Sequence, residues 1–128
     1  MSRKRRNSRD NMQWYRVDLH IHTPGSNDYQ EPDINYLDIL QTAESCGLDV
    51  IAFTDHNTVA GIRKLREEMD GLVLLEQLNR IRPEEKQKLT EFRQLLDKIL
   101  LLPGFELTAT LGFHVLGIFP PETNMREL

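Results

Sequence analysis

Two histidines separated by one residue, His20 and His22, stand in the stretch VDLHIHTPGSND, residues 17–28. Strand residues i and i+2 share a face, so both imidazoles can converge on one ion. A neutral imidazole offers a lone pair without net charge and is the commonest protein metal ligand. Asp18 falls one step back on that expected face, where it could accept a ring N–H and orient a histidine. The competing reading is a pair of hydrogen-bonded core histidines. The remaining histidines also sit at or beside predicted strands. FTDHN places Asp55 and His56 where a strand should end, and PGFELTATLGFHVLG places Glu106 and His114 on either side of a candidate hairpin. Glu106 lies in an apolar context, where a buried carboxylate requires a cation or a donor. A capping aspartate with a surface histidine, and a solvated hairpin glutamate, are the alternatives at these two positions. Neighbouring strand residues face opposite ways, so only one of Asp55 and His56 is expected to face a site directly.

The elements that must position these groups follow from periodicity. WYRVDLHIHT alternates, with Val17, Leu19 and Ile21 on one face and Asp18, His20 and His22 on the other. DINYLDILQTAESCG reads as a helix with Asp33 as N-cap, a stripe of Ile34, Leu37, Leu40 and Ala43, and Gly47 as its stop. Val50 to Phe53 are continuously apolar, as in a strand buried on both faces. Strand, helix and strand with short joints predict a βαβ unit and a parallel sheet. A second helix is predicted from Thr58 as cap to Gly71 as stop, with Ile62, Leu65 and Met69 inward. LVLLEQLNRIR is compatible with strand or helix. A third helix starts at Pro83, with Glu84 and Glu85 in its first turn and Leu89, Phe92, Leu95 and Leu96 on one side. ILLLPGFELTA and GFHVLGIF read as strands joined near Leu111 and Gly112.

Composition bounds the function. The chain has 128 residues, is 39% hydrophobic and 28% charged, and can support one core. No apolar run approaches the roughly 18 residues of a membrane span. One cysteine, Cys46, excludes an internal disulfide and fits a reducing, cytoplasmic compartment; it reads as a small buried residue near a helix end. Residues 1–10 carry five basic groups against one acid, so +4, which leaves −8 on residues 11–128 of a chain with net charge −4. A basic arm over residues 1–13 ahead of an acidic body points to nucleic acid or another polyanion, or else to a solvated tail.

The ordered motifs DLHIHT, FTDHN and PGFELTA…FHVLG resemble the PHP domain (polymerase and histidinol phosphatase). The resemblance covers about residues 14–62 and 99–119 and is diluted over about 70–98, which reads as a helical insertion. It implies an α/β fold, here part of a distorted (β/α)7 barrel, over residues 14–128. It also implies two or three divalent ions (Zn, Mn or Fe) at the carboxyl ends of the strands. By motif, His20 and His22 would bind a first metal and His56 a second; Glu106 would bridge two, and His114 would bind a third. The family also places a ligand just after the paired histidines, commonly where this chain has Asn27, which makes Asp28 the candidate here. The implied activity is hydrolysis of a phosphomonoester or phosphodiester by metal-bound hydroxide, with Asp55 orienting groups or handling protons. The basic arm directs the expected substrate towards nucleic acid.

The family's later histidine and closing Asp-x-His have no counterpart after His114. The expectation is therefore an N-terminal part of a PHP domain, with little turnover by itself and unpaired sheet edges. Its start resembles proteins that join a PHP region to a P-loop ATPase, although no GxxxxGK[ST] occurs in the chain. Two other classes stay open: a metal-dependent amidohydrolase, which also uses a DxHxH strand, and a non-catalytic structural or regulatory module of a larger ATPase or DNA-processing protein.

Overall fold

A computed structural model of the chain describes residues 13–26 and 34–127. The elements in order are β1 (Val17–Ile21), α1 (Tyr36–Ser45), β2 (Val50–His56), α2 (Ala60–Gln77), α3 (Pro83–Lys98), β3 (Leu100–Thr108) and β4 (His114–Ile118), followed by a 3-10 turn at Met125–Glu127. The fold is mixed α/β: one four-stranded sheet, ordered β1-β2-β3-β4, curls as a half-barrel beside the three helices. β1, β2 and β3 run parallel, and β4 returns antiparallel to β3. Residues 70–98, read as an insertion, hold the end of α2 and the whole of α3, with a non-helical link over 78–82. Among the described residues no helix is long and apolar enough to cross a membrane.

The helices start and stop for local reasons. α1 begins later than Asp33 would have it, and Asp33 lies outside the described residues. Asn35 is the cap: its side chain accepts from Asp38 N–H, and Asp38 accepts from Asn35 N–H in return, a reciprocal box. At the far end Gly47 has φ +70, with Leu48 N–H bonded to Ala43 O and Gly47 N–H to Glu44 O. This is the glycine-terminated stop expected from sequence. Cys46, expected to be buried, is exposed at the C-cap, because Ala43 and Leu48 take the inward positions.

α2 does not stop at Gly71. It continues to Gln77 because Leu72 is buried and Met69 and Val73 pack against the core, so the apolar stripe carries the helix past the glycine. Its stop is Asn79, at φ +54, with Arg80 N–H bonded to Leu75 O and Asn79 N–H to Glu76 O. Thr58 sits one residue before the cap position, Val59, and accepts from Ala60 N–H. Pro83 opens α3 as expected, and Leu89, Phe92 and Leu95 are buried on its inner side.

One face of the sheet meets these helices. Ile51 and Phe53 of β2 join Leu40, Ile62, Leu65, Leu89 and Phe92 in the core. The register Ile51↔Leu101, Phe53↔Pro103 and Asp55↔Phe105 continues that face onto β3. Ala52, Thr54 and His56 therefore face the other way, as do Gly104 and Glu106. The strict alternation expected for β1 is broken. Asp18 pairs with Ile51 and Ile21 with Phe53, so three steps on β1 match two on β2. An extra residue of this kind rotates part of a strand. Asp18 consequently shares the helix-covered side rather than that of the histidines.

Candidate metal centre

Parallel strands that end together, with a hairpin folded beside them, assemble the chemistry-bearing residues. β2 and β3 pair in register up to the end of β2, so His56 lies directly beside Glu106. The β3–β4 hairpin turns through Gly112, at φ +81, and sets His114 opposite Thr108. Glu106 and His114 thus project from the same end of the sheet. His20 and His22 arrive from the end of β1 and the residue after it.

Glu106 is the hub. His20 Nε2 lies 2.9 Å and His22 Nε2 2.7 Å from its Oε2, and His56 Nδ1 lies 3.5 Å from the same oxygen. Its other oxygen, Oε1, is 2.8 Å from His114 Nδ1. The His20 and His22 rings are 5.2 Å apart between centroids, and the His22 and His56 rings 4.4 Å. The Glu106 side chain is 3% exposed, against 30% for His22 and His56 and about half for His20 and His114. The cluster is a buried carboxylate floor under an open rim of imidazoles.

Burial by itself would raise the Glu106 pKa. Hydrogen bonds from His20 and His22, with the electrostatic pull of His20 and His56, outweigh it and hold the carboxyl down at about 2. At neutral pH the floor is therefore an anion, buried and surrounded by nitrogen donors. One ligand atom from each of His20, His22 and Glu106 lies within 4.8 Å of the others, a grouping able to hold a metal ion. The two oxygens of Glu106 face different imidazoles: Oε2 faces His20, His22 and His56, and Oε1 faces His114.

Five of the eight residues singled out from sequence, His20, His22, His56, Glu106 and His114, are brought together. Asp28 lies outside the described residues. Asp55 is turned away. It is 1% exposed, on the helix side of β2, and both its oxygens bond to Thr23 and Ser26. Asp18, expected to orient a ring, instead accepts the backbone N–H of His20. The bulge that moves it off the histidine face is the cause.

Sequence reasoning passed over four residues next to the cluster: Thr23, Gly25, Ser26 and Gly61. A Cβ on Gly61 would strike Asp55 and Thr23, and a Cβ on Gly25 would fall 2.5 Å from Gly61 N. The TPGS stretch was readable as a loop, but its partners lie about thirty residues away. Beside His22, on the helix side of β1, a groove of about 330 Å³ is lined by Asp18, Ile21, Asp38, Thr42 and Cys46 among others. No protein-family model matches the chain, and no curated protein matches it.

Proposed function

We propose that the cluster is a divalent-metal centre for the hydrolysis of phosphate esters, in a fold of PHP type. The observation that carries this reading is the convergence of four imidazoles on one buried, anionic carboxylate. A buried anion demands compensation. Nitrogen donors grouped around a carboxylate suit Zn, Mn or Fe, and the donor set does not choose among them.

His20 and His22, with Glu106 Oε2, would hold one ion, and His56 would add a nitrogen beside them. His114, with Glu106 Oε1, would hold another. Bound ions supply positive charge to the phosphoryl oxygens and acidify a water. The chain's own part is positional. Glu106 keeps the anionic floor fixed, while the exposed His20 and His114 rings leave the rim open to a phosphate ester. The motifs that resemble the PHP domain, and the basic arm, support a phosphoester, with nucleic acid as the favoured substrate class.

The test is elemental analysis of the wild-type chain and of the His20→Ala/His22→Ala variant after dialysis against Mn or Zn. Wild type should retain metal and the variant should lose it. Equal metal content in two folded proteins would overturn the reading. Phosphodiester and amide substrates, assayed on the longest available polypeptide that contains this region, then decide the bond cleaved. Release of phosphate or nucleotide is expected, and release of ammonia or a carboxylate in its place would move the site to amidohydrolase chemistry.

A further inference from the structure

Asp55 and His56 are sequence neighbours that face opposite sides of β2. His56 joins the cluster, and Asp55 is buried behind it. A buried carboxylate is costly unless satisfied, and this one has three donors. Thr23 N–H lies 2.6 Å from Oδ1, Thr23 Oγ1 donates to Oδ2 at 2.8 Å, and Ser26 Oγ donates to Oδ1 at 2.9 Å. The same Ser26 Oγ accepts the backbone N–H of His56 at 3.1 Å.

The loop after β1 is folded back on itself to meet these bonds. Gly25 N–H reaches Thr23 Oγ1, and Ser26 N–H reaches Thr23 O, both at 3.0 Å. The first turn of α2 closes over it: a Cβ on Gly25 would fall on the Gly61 backbone, and a Cβ on Gly61 would strike the side chains of Asp55 and Thr23. On the other side of His56, Asn57 N–H bonds to Glu106 O at 2.8 Å. Asn57 turns the chain there at φ +53.

Thr23 directly follows His22, and Asp55 directly precedes His56. One carboxylate therefore ties together the two backbone positions from which neighbouring imidazoles project. We propose that Asp55 is a positioning residue: by clamping Thr23 and Ser26 to the end of β2, it fixes His22 and His56 relative to each other and to Glu106. Its role as a metal-site organiser rests on the metal reading of the cluster, whereas its effect on the rings does not. Asp55 is assigned neither metal ligation nor proton transfer, because both its oxygens are already engaged on the far side of the strand.

The experiment compares wild type, Asp55→Asn and Ser26→Ala as the full chain, using two readouts. The first is the NMR of the histidine ring nitrogens and protons in metal-free protein. Both folded variants should move the His22 and His56 ring resonances. The second is titration with Co²⁺ alone, followed by its visible spectrum. Affinity should fall by about 10–100-fold, the usual effect of removing a residue that orients a ligand, and the spectrum should change. Ser26→Ala keeps the Thr23–Asp55 bonds and decides the matter if Asp55→Asn fails to fold.

Folded variants with wild-type ring resonances would overturn the clamp, whatever their stability. If wild type binds no Co²⁺ but its rings still shift on substitution, the clamp stands and the metal reading falls. If Co²⁺ binds and the variants match wild type in affinity, spectrum and rings, the metal reading stands and the clamp falls.

Discussion

Between β1 and β2 the chain uses one helix of ten residues, and between β2 and β3 it uses two, of 18 and 16. The shorter connection begins with Thr23 to Ser26, held by polar bonds to Asp55 and by close contact of Gly25 with Gly61. The longer one is held by side-chain packing: Ile62, Leu65 and Leu72 of α2 and Leu89, Phe92 and Leu95 of α3 are buried. Its ion pairs, Glu76 with Arg93 and Glu68 with Lys88, lie towards the surface, where such pairs contribute little. Stability and site geometry are therefore supplied by different kinds of contact: apolar packing of the helices for the one, directed polar bonds of the loop after β1 for the other. Apolar area holds the fold together, most of it from α2 and α3 with Leu40 and Ala43 of α1 packed beside them, and a few directed bonds from Thr23 and Ser26 aim the histidines.

The largest expected effect tests the packing side. Phe92 is fully buried, and Phe92→Ala should lower unfolding free energy by about 3–5 kcal/mol. In the fraction that remains folded, the histidine ring resonances should match wild type. A denaturant titration with NMR on the folded baseline reads both quantities. Shifted rings in this variant would show that the helical layer also aims the site, and the division would be lost.

Gly61→Ala should cost less and disturb more. Alanine favours the helix by about 0.5–1 kcal/mol relative to glycine. Here the added methyl meets Asp55 and Thr23, which are buried and bonded to each other. Overpacking of this kind costs about 1–3 kcal/mol. The net expectation is a smaller loss of stability than in Phe92→Ala, with displaced His22 and His56 resonances. A Gly61→Ala protein that is more stable than wild type, with unmoved rings, would contradict this account.

The two regions also differed in how far they could be read from sequence. The βαβ order, the third helix and the hairpin were legible, because hydrophobic periodicity and strong punctuation such as Pro83, Gly47 and Gly112 report local structure directly. The cluster residues were legible as types, since His20, His22, His56, Glu106 and His114 each stood on or beside a strand. The β1 bulge was not, because period-two alternation carries no mark of an inserted residue, and Asp18 was assigned to the wrong face for that reason. Asp55 showed the opposite problem. Its residue type suggested chemistry, but its partners Thr23 and Ser26 are 32 and 29 positions away, and no local pattern pairs them. The start of α1 was misplaced although its signal was present: Asn35 and Asp38 stand at the capping-box spacing.

Gly71 gives the smallest effect and the cleanest contrast. It was read as a helix stop, yet it lies inside α2, ten residues beyond Gly61 on the same helix. Its φ is not in the left-handed range, and a Cβ built on it meets nothing within 4 Å. Neither conformation nor packing calls for glycine there. Gly71→Ala should therefore stabilise the protein by about 0.5–1 kcal/mol, through helix preference and a less disordered unfolded chain. The denaturant midpoint should rise with an unchanged m-value, and the histidine rings should not move. The same substitution thus has opposite signs at two positions of one helix: it is unfavourable where the helix closes over Asp55 and favourable where it faces open space. A midpoint that falls in Gly71→Ala would mean that the turn around Gly71 is under a constraint this packing does not contain.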